Sequence, residues 1–421
     1  MMRGACGYGD VAESQIASAQ VMMIQQGARR NYVYARQLEQ AGLLHSLVTD
    51  AAWAEGDGGL ARRFFALSGP ISRRTVRGVA AGRIHSSYVS NIAELIVSGL
   101  RAVGLHEERG YQLVDEIQAL RCRVRGLGGA KIIINYHGNG GSFLNYAKAR
   151  GAKIVTDFVN TPKYLEIEAA ERDHWPDWEP QSSSPKIIEF YRQRMARLVQ
   201  ISDLYLCPSQ TVARDLADLP GFDPSRLRLV PYGLSGVLLR PAAPIQGRVL
   251  FAGAAGLRKG LPYLAEAARI LKKLQPEIEI VIAGHVAPAI RSRPEVQNLT
   301  FLGQLNRESM AEEFSRADIF CLPSLAEGSA TSIFEAMANG LPTVTTSSSG
   351  SMVVDGVDGR IVPERDGVAI ASAVEQIVAD RNLRQRMSEA ALATASLYDD
   401  KACGQRFVDV IRTLVSTAGV Q

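Results

Sequence analysis

The sequence predicts an α/β chain made of two Rossmann-like, doubly wound αβα domains. Three observations carry that expectation. Short apolar runs ending in glycine-containing loops alternate with helical patterns in both halves, as parallel sheets joined by helices require. A length of 421 residues suits two domains of ordinary size, each able to bury its own core. The alternation breaks at residues 234–246, where prolines at 241 and 244 mark a linker. The expected division is 1–240, 241–400, and a closing helix over 401–421.

Residues 1–18 show no clear period. Residues 21–25 are apolar enough for a first strand, 27–31 read as a turn, 32–40 as a helix stopped by Ala41-Gly42, and 43–48 as the next strand. In this βαβ opening Gly27 occupies the bend where a Cβ is least welcome. Further strands are expected at 131–136, 153–158, 203–206 and 228–230, with a helix at 142–150. The second series starts with a strand at 249–251. A loop with Gly253 and Gly256 follows, then Arg258-Lys259-Gly260 and a helix from about Pro262. Four apolar residues at 319–322 precede the Pro323 break, and the series runs to about residue 379. Phe407, Val408, Val410, Ile411 and Leu414 lie close to helical spacing in the last segment.

The most informative stretch is 326–346, AEGSATSIFEAMANGLPTVTT. It sets Glu327 in a loop of small residues and Glu335 eight positions later, in a helix ending at Asn339-Gly340-Leu341-Pro342. The loop joins the end of a strand to the start of a helix, where free N–H groups and the helix dipole favour an anion. Carboxylates beside an anion site fit a ligand that also offers hydroxyls, and a nucleotide-sugar offers both. Arg258 and Lys259 read either as cations for a diphosphate or as a solvated turn. Glu327 alone could also be a carboxylate favoured by the helix dipole.

Glu327-x7-Glu335 with EAMANGLP, together with VLFAGAAGLRKGL, PYLAEAARIL, VIAGH, FLGQL and DGVDGRIVP, resembles the retaining GT-B glycosyltransferases of glycosyltransferase family 4. The match covers essentially the whole C-terminal half. QQGARRNYVYARQLEQAG, ISDLYLCPSQTV and LVPYG match more loosely in the first half. The resemblance implies a GT-B fold with two domains facing a cleft, and the last helix crossing back to the first domain. It implies sugar transfer from a nucleotide-diphosphate sugar to a hydroxyl with retention, the leaving phosphate oxygen taking the acceptor's proton. No metal and no cofactor are expected.

By resemblance, Glu335 holds ribose hydroxyls, Glu327 meets the donor sugar, and Arg258 and Lys259 meet the diphosphate. Gly253, Gly256, Gly284, Gly27, Gly328, Ser329, Ala330, Thr331 and Ser332 would shape the donor site, the last four through backbone N–H groups. Two departures stand out. Many members carry arginine where this chain has Ala254, so Arg258, Arg29 or Arg30 would have to compensate, or the donor site is weaker. Many members also end a strand in histidine where this chain reads IVTDFVNTP, which leaves Asp157 and Asn160 as the polar candidates. A subgroup with Asp near this strand end and a Glu-rich helix after it is the nearest likeness. Asp157 is ranked first against a structural cap on the turn before Pro162. His137, ending the preceding strand, ranks second, with His174 and His285 behind it.

The rival readings are a nucleotide-sugar epimerase or hydrolase of the same fold, and a catalytically silent binding subunit. Dinucleotide-dependent oxidoreduction is disfavoured, because no G-x-G-x-x-G follows the first strand. Five scattered cysteines without CxxC spacing read as buried thiols in a reducing compartment rather than as zinc ligands. A net charge of +4 does not argue for nucleic acid. No apolar run reaches 18 residues and no secretory signal is read, so a cytoplasmic location is expected. The basic residues Arg62, Arg63, Arg73, Arg74, Arg77 and Arg83 fall in a stretch with no acidic residue. Residues 62–83 form either a solvated face or a surface for anionic lipid headgroups or an anionic acceptor, on the inner face of a membrane.

Overall fold

A computed structural model describes residues 20–56, 74–102, 107–179, 184–234, 239 and 244–418. The chain divides into two compact units. The first comprises 1–157, 200–205 and 404–421; the second comprises 158–199 and 206–403. This differs from a division at residue 240, because 158–199 and 206–240 group with the second unit.

Among the described residues nine strands precede the linker: β1 (Val21–Gln25), β2 (Leu44–Thr49), β3 (Trp53–Ala54), β4 (Thr75–Val76), β5 (Ile84–His85), β6 (Ile132–Tyr136), β7 (Lys153–Asp157), β8 (Leu204–Cys207) and β9 (Leu227–Leu229). Seven of them form one sheet in the order β5-β2-β1-β6-β7-β8-β9, and β3 pairs with β4 separately. The pairs β1·β2, β1·β6, β2·β5 and β6·β7 are parallel. β1 and β6 are buried throughout, as strands covered on both faces must be. Strand order reverses between β1 and β6. The loops after these two strands therefore flank the crevice where open α/β sheets hold ligands. From Gly404 the final helix, Asp400–Ala418, belongs to this first unit. Its Phe407 stacks on Tyr34 with ring centroids 3.9 Å apart.

The second sheet is β10 (Arg248–Ala252), β11 (Glu279–Ala283), β12 (Leu299–Gly303), β13 (Ile319–Leu322), β14 (Thr343–Thr345) and β15 (Gly359–Ile361). Its order is β12-β11-β10-β13-β14-β15, with every neighbouring pair parallel. Here the order reverses between β10 and β13, so the loops after these strands flank the second crevice. Helices Leu261–Leu274 and Gly367–Ala379 pack together, and their buried leucines, isoleucines and valines join the core. Pro262 in the first turn and Lys272 and Lys273 in the last suit the ends of the Leu261–Leu274 helix.

The ends of β10 and β11 press together so closely that a Cβ on Gly284 would lie 1.9 Å from the Gly253 carbonyl oxygen. Gly284 also has φ +147°, which side chains rarely adopt. The helix Tyr164–His174 is tied into this unit through Glu171, which is 1% exposed. Glu171 accepts from Tyr263 Oη at 2.8 Å and from Arg365 Nε at 2.5 Å. A buried carboxylate with two donors is compensated.

Candidate functional site

The crevice beside β10 and β13 holds a cavity of about 330 Å³. Lys259, Glu327, Ser329, Ala330, Thr331, Ser332 and Glu335 line it, with Gly253 and Ala254. The glycine-containing loop after β10 leads into a short 3-10 turn, Leu257–Lys259, which carries both cations. Lys259 Nζ lies 2.7 Å from Glu327 Oε1, and Arg258 Nη1 lies 2.6 Å from the same oxygen. Arg258 Nη1 also donates to the Ala326 carbonyl at 2.8 Å, and its Nε lies 3.2 Å from Glu168. The two loops expected to meet a diphosphate and a sugar are therefore joined by an ion-pair cluster.

Glu335 faces the same cavity from the helix Thr331–Ala338, and burial raises its pKa. A carboxylate held short of water gains from ligand hydroxyls that donate to it. The buried Ser329 Oγ has no hydrogen-bond partner. One expectation is corrected: the Ala330 N–H is not free for a phosphate, because it donates to the Ser349 carbonyl at 3.1 Å. The Glu327 N–H goes to Ser348 at 3.0 Å. The Ser347–Ser349 turn thus braces the loop, which leaves the start of the helix at Thr331 and Ser332 to line the cavity. The sequence reading missed this brace, although SSSG directly follows the informative stretch.

The remaining glycines serve close approach. A Cβ on Gly328 would lie 1.8 Å from the Val159 carbonyl oxygen, and one on Gly256 would lie 2.2 Å from Glu179 Oε1. Neither Gly328, Gly256 nor Gly284 lines the 330 Å³ cavity. Glu168, Arg172 and Glu179 were not singled out from the sequence either. They come from the Glu-rich helix and its exit, and pack beside Arg258.

The candidates of the first unit form their own group around β1, β6 and β7. Asp157 ends β7 and is 2% exposed; its Oδ2 accepts no hydrogen bond. Burial pushes its pKa up to about 7, against the opposing pull of Arg30 and Arg29. A cap on the turn before Pro162 is not what Asp157 makes. The Thr161 N–H goes to Asn160 at 2.9 Å and the Thr161 hydroxyl to Asp215. His137 follows β6 with φ +46°, and its N–H donates to the Asp157 carbonyl at 2.9 Å. Gly27 (φ +72°) has its N–H taken by Asp50 at 3.0 Å. The next turn holds Arg30, Asn31 and Tyr32 at φ +49°, +49° and +58°, three consecutive left-handed side-chain residues at roughly 1–2 kcal/mol each. Such strain concentrates where loops are shaped for ligands.

Within the basic stretch, Arg74 pairs with Asp50 at 2.5 Å and Arg83 with Glu39 at 2.7 Å. Both arginines are thus matched by carboxylates outside the stretch. Arg77 is exposed; Arg62, Arg63 and Arg73 lie outside the described residues. Among the described residues no helix is long and apolar enough to cross a membrane. Cys122, Cys207, Cys321 and Cys403 are buried free thiols, and Cys6 lies outside the described residues.

Residues 244–394, which contain this cavity, match the family Glycosyl transferases group 1. They form a glycosyl transferases group 1 domain. The chain is 31% identical over 179 residues to alpha-D-kanosaminyltransferase of Streptomyces kanamyceticus, covering 39% of this chain and 45% of that protein. It is 29% identical over 290 residues to phosphatidyl-myo-inositol mannosyltransferase of Mycolicibacterium smegmatis, covering 66% of this chain and 69% of the relative. The chain thus spans about half to two thirds of the length of these curated relatives. Among solved structures, Anabaena HepE in complex with UDP superposes with a TM-score of 0.59 at 14% identity, over 94% of this chain and all of that one. The fold of this chain is that of the GT-B glycosyltransferases.

Proposed function

We propose that the protein transfers a sugar from a nucleoside-diphosphate sugar to an acceptor hydroxyl, with retention at the anomeric carbon and without a divalent ion. One observation carries this reading: the same cavity is lined by the cation Lys259 and by the carboxylate Glu335, together with the small residues Ser329, Ala330, Thr331 and Ser332. A nucleoside diphosphate has that polarity, with ribose hydroxyls for Glu335 and phosphates for Lys259, Arg258 and the start of the Thr331–Ala338 helix. The names of the kanosaminyl and mannosyl relatives, and the UDP held by the Anabaena protein, support it.

In this reading the diphosphate takes over Lys259 and Arg258 from Glu327, so the apo ion pairs keep the cations in place for the leaving group. The released Glu327 then meets the sugar, where its charge stabilises the developing oxocarbenium. The leaving phosphate oxygen accepts the acceptor's proton, so orientation and charge stabilisation do the chemistry without a strong base. Asp157 and His137 would orient the acceptor; Asp157 has the pKa of a group that can gain or lose a proton near neutrality. The acceptor is a saccharide, a lipid-linked saccharide or a small molecule.

Incubation with UDP-, GDP- and ADP-sugars, with and without acceptors and in excess EDTA, tests the reading. Acceptor-dependent nucleotide release that survives EDTA is expected. Turnover abolished by EDTA and restored by magnesium or manganese refutes the metal-free mechanism. Donor conversion that ignores acceptors favours an epimerase or hydrolase.

A further inference from the structure

The helix Glu107–Arg125 of the first unit carries a row of apolar side chains on its outer side. Leu113 is 44% exposed, Leu120 61% and Val124 82%, and Ile117 among them is half-buried. We propose that this face is the contact between two copies of the chain, joined antiparallel about a two-fold axis beside residues 118 and 119. The inference does not depend on the glycosyl-transfer reading and concerns a surface which that reading leaves unused.

Three observations carry it. The first is the spacing. Leu113, Ile117, Leu120 and Val124 follow one another at intervals of four, three and four residues. That is the narrow seam of a coiled coil, with two apolar positions in every seven, rather than the broader stripe a helix lays on a core. Apolar residues exposed singly need no explanation, whereas a periodic row of them marks a contact. The helix packed beside it, Val89–Ala102, adds the exposed Val89, Ile92 and Ile96.

The second observation is that the row cannot roll inwards. Gln118, Ala119 and Cys122 lie on the opposite side of the helix and are buried. Gln118 Oε1 accepts from the Gly140 N–H at 3.0 Å, and Arg121 Nη2 donates to the Thr49 carbonyl at 3.3 Å. A Cβ on Gly141 would lie 2.9 Å from the Asp115 carbonyl oxygen, so the helix already touches the loop after β6. The inner side of the helix is taken, and the apolar row is left for a partner.

Third, charge selects both the partner and the direction. Glu116 and Arg123 are exposed on one flank of the row, and Ser142 holds both there. The Ser142 N–H donates to Glu116 Oε1 at 3.2 Å, and Arg123 Nη2 donates to Ser142 Oγ at 2.8 Å. An antiparallel pair sets Leu113 against Val124 of the second copy and Ile117 against its Leu120. Glu116 of each copy then meets Arg123 of the other, twice by symmetry. Along the helix, Glu107, Glu108, Asp115 and Glu116 outnumber Arg109 in the first half, and the second half holds only Arg121, Arg123 and Arg125. Antiparallel pairing matches these halves, whereas a parallel pair sets arginine against arginine. An anionic bilayer fits less well, because a helix lying in one carries a basic polar face and this flank alternates in sign.

Sedimentation equilibrium of the full chain from about 1 to 200 µM tests the inference, with dissociation in the micromolar range expected for so short a seam. Leu120→Glu and Val124→Glu, both at exposed positions, should weaken association at least about 100-fold while near-ultraviolet circular dichroism stays unchanged. Glu116→Arg and Arg123→Glu should each weaken it about tenfold. An equimolar mixture of these two variants should regain the parent's association, because the mixed pair has opposite charges at both contacts. A parent that sediments as a single chain throughout overturns the inference. If that parent floats with phosphatidylglycerol vesicles and Leu120→Glu does not, the face belongs to a lipid surface instead. Dimers that survive both glutamate variants place the contact elsewhere, and a mixture that associates no better than its components overturns the antiparallel pairing.

Discussion

Asp157→Asn separates a buried charge from a structural polar residue by the slope of stability against pH. In the fold the Asp157 carboxyl has a pKa of about 7 against an ordinary 3.8, because burial disfavours its charged form. Below about pH 4 folded and unfolded chains both hold the proton, and the burial of Asp157 makes no pH-dependent difference. Between about pH 4 and 7 the folded state keeps a proton that the unfolded state has released, so stability falls as pH rises. Above pH 7 both states are ionised and the full penalty is present. Some three pKa units at about 1.4 kcal/mol each give a penalty of about 4 kcal/mol, an upper limit for the site.

Asparagine escapes this penalty but buries an amide that needs partners, a pH-independent cost of about 1–3 kcal/mol. The stability difference between mutant and parent should therefore grow in the mutant's favour by up to about 4 kcal/mol from pH 4 to 8, whatever its offset. Hydrogen exchange of the β6 and β7 amides reads this locally, without assuming that the two units unfold together. Parallel pH profiles for parent and mutant would refute the raised pKa. If Asp157 also serves the acceptor, the same substitution lowers turnover while nucleotide affinity stays near normal. Normal turnover moves the role to His137, tested by His137→Ala.

Lys259→Ala should lower transfer about 10²- to 10³-fold without unfolding the protein, since Arg258 still balances Glu327. Transfer at the parent rate would return the Arg258-Lys259 turn to a solvated loop. Glu335→Ala should weaken nucleoside-diphosphate binding in calorimetry, whereas Glu327→Ala should lower turnover while leaving that affinity unchanged or raised, because it frees two cations. Equal losses of affinity in both would contradict this division of roles. Gly284→Ala should cost at least about 2 kcal/mol, as its Cβ would meet the Gly253 carbonyl at 1.9 Å, and an unchanged melting temperature would count against that packing.

The strand–loop–helix units were legible in the sequence because they are local. The apolar runs at 21–25, 131–136 and 319–322, the Gly and Pro punctuation and the Asn339-Gly340-Leu341-Pro342 stop of the helix carrying Glu335 depend on neighbouring residues, and the structure places strands within all three runs and that helix at Thr331–Ala338. The juxtaposition of Lys259 with Glu327 was legible only through family resemblance, since the residues are 68 positions apart. Tertiary structure alone decided the rest. It brought the Glu-rich helix to Arg258, matched Arg74 and Arg83 with Asp50 and Glu39, and closed the Ala330 N–H onto Ser349. It also buried Asp157, whose pKa is set by its surroundings rather than by its residue type. Sequence spacing encodes periodicity along one element. Which charges meet, and how far each lies from water, depends on how elements distant in the chain pack against one another.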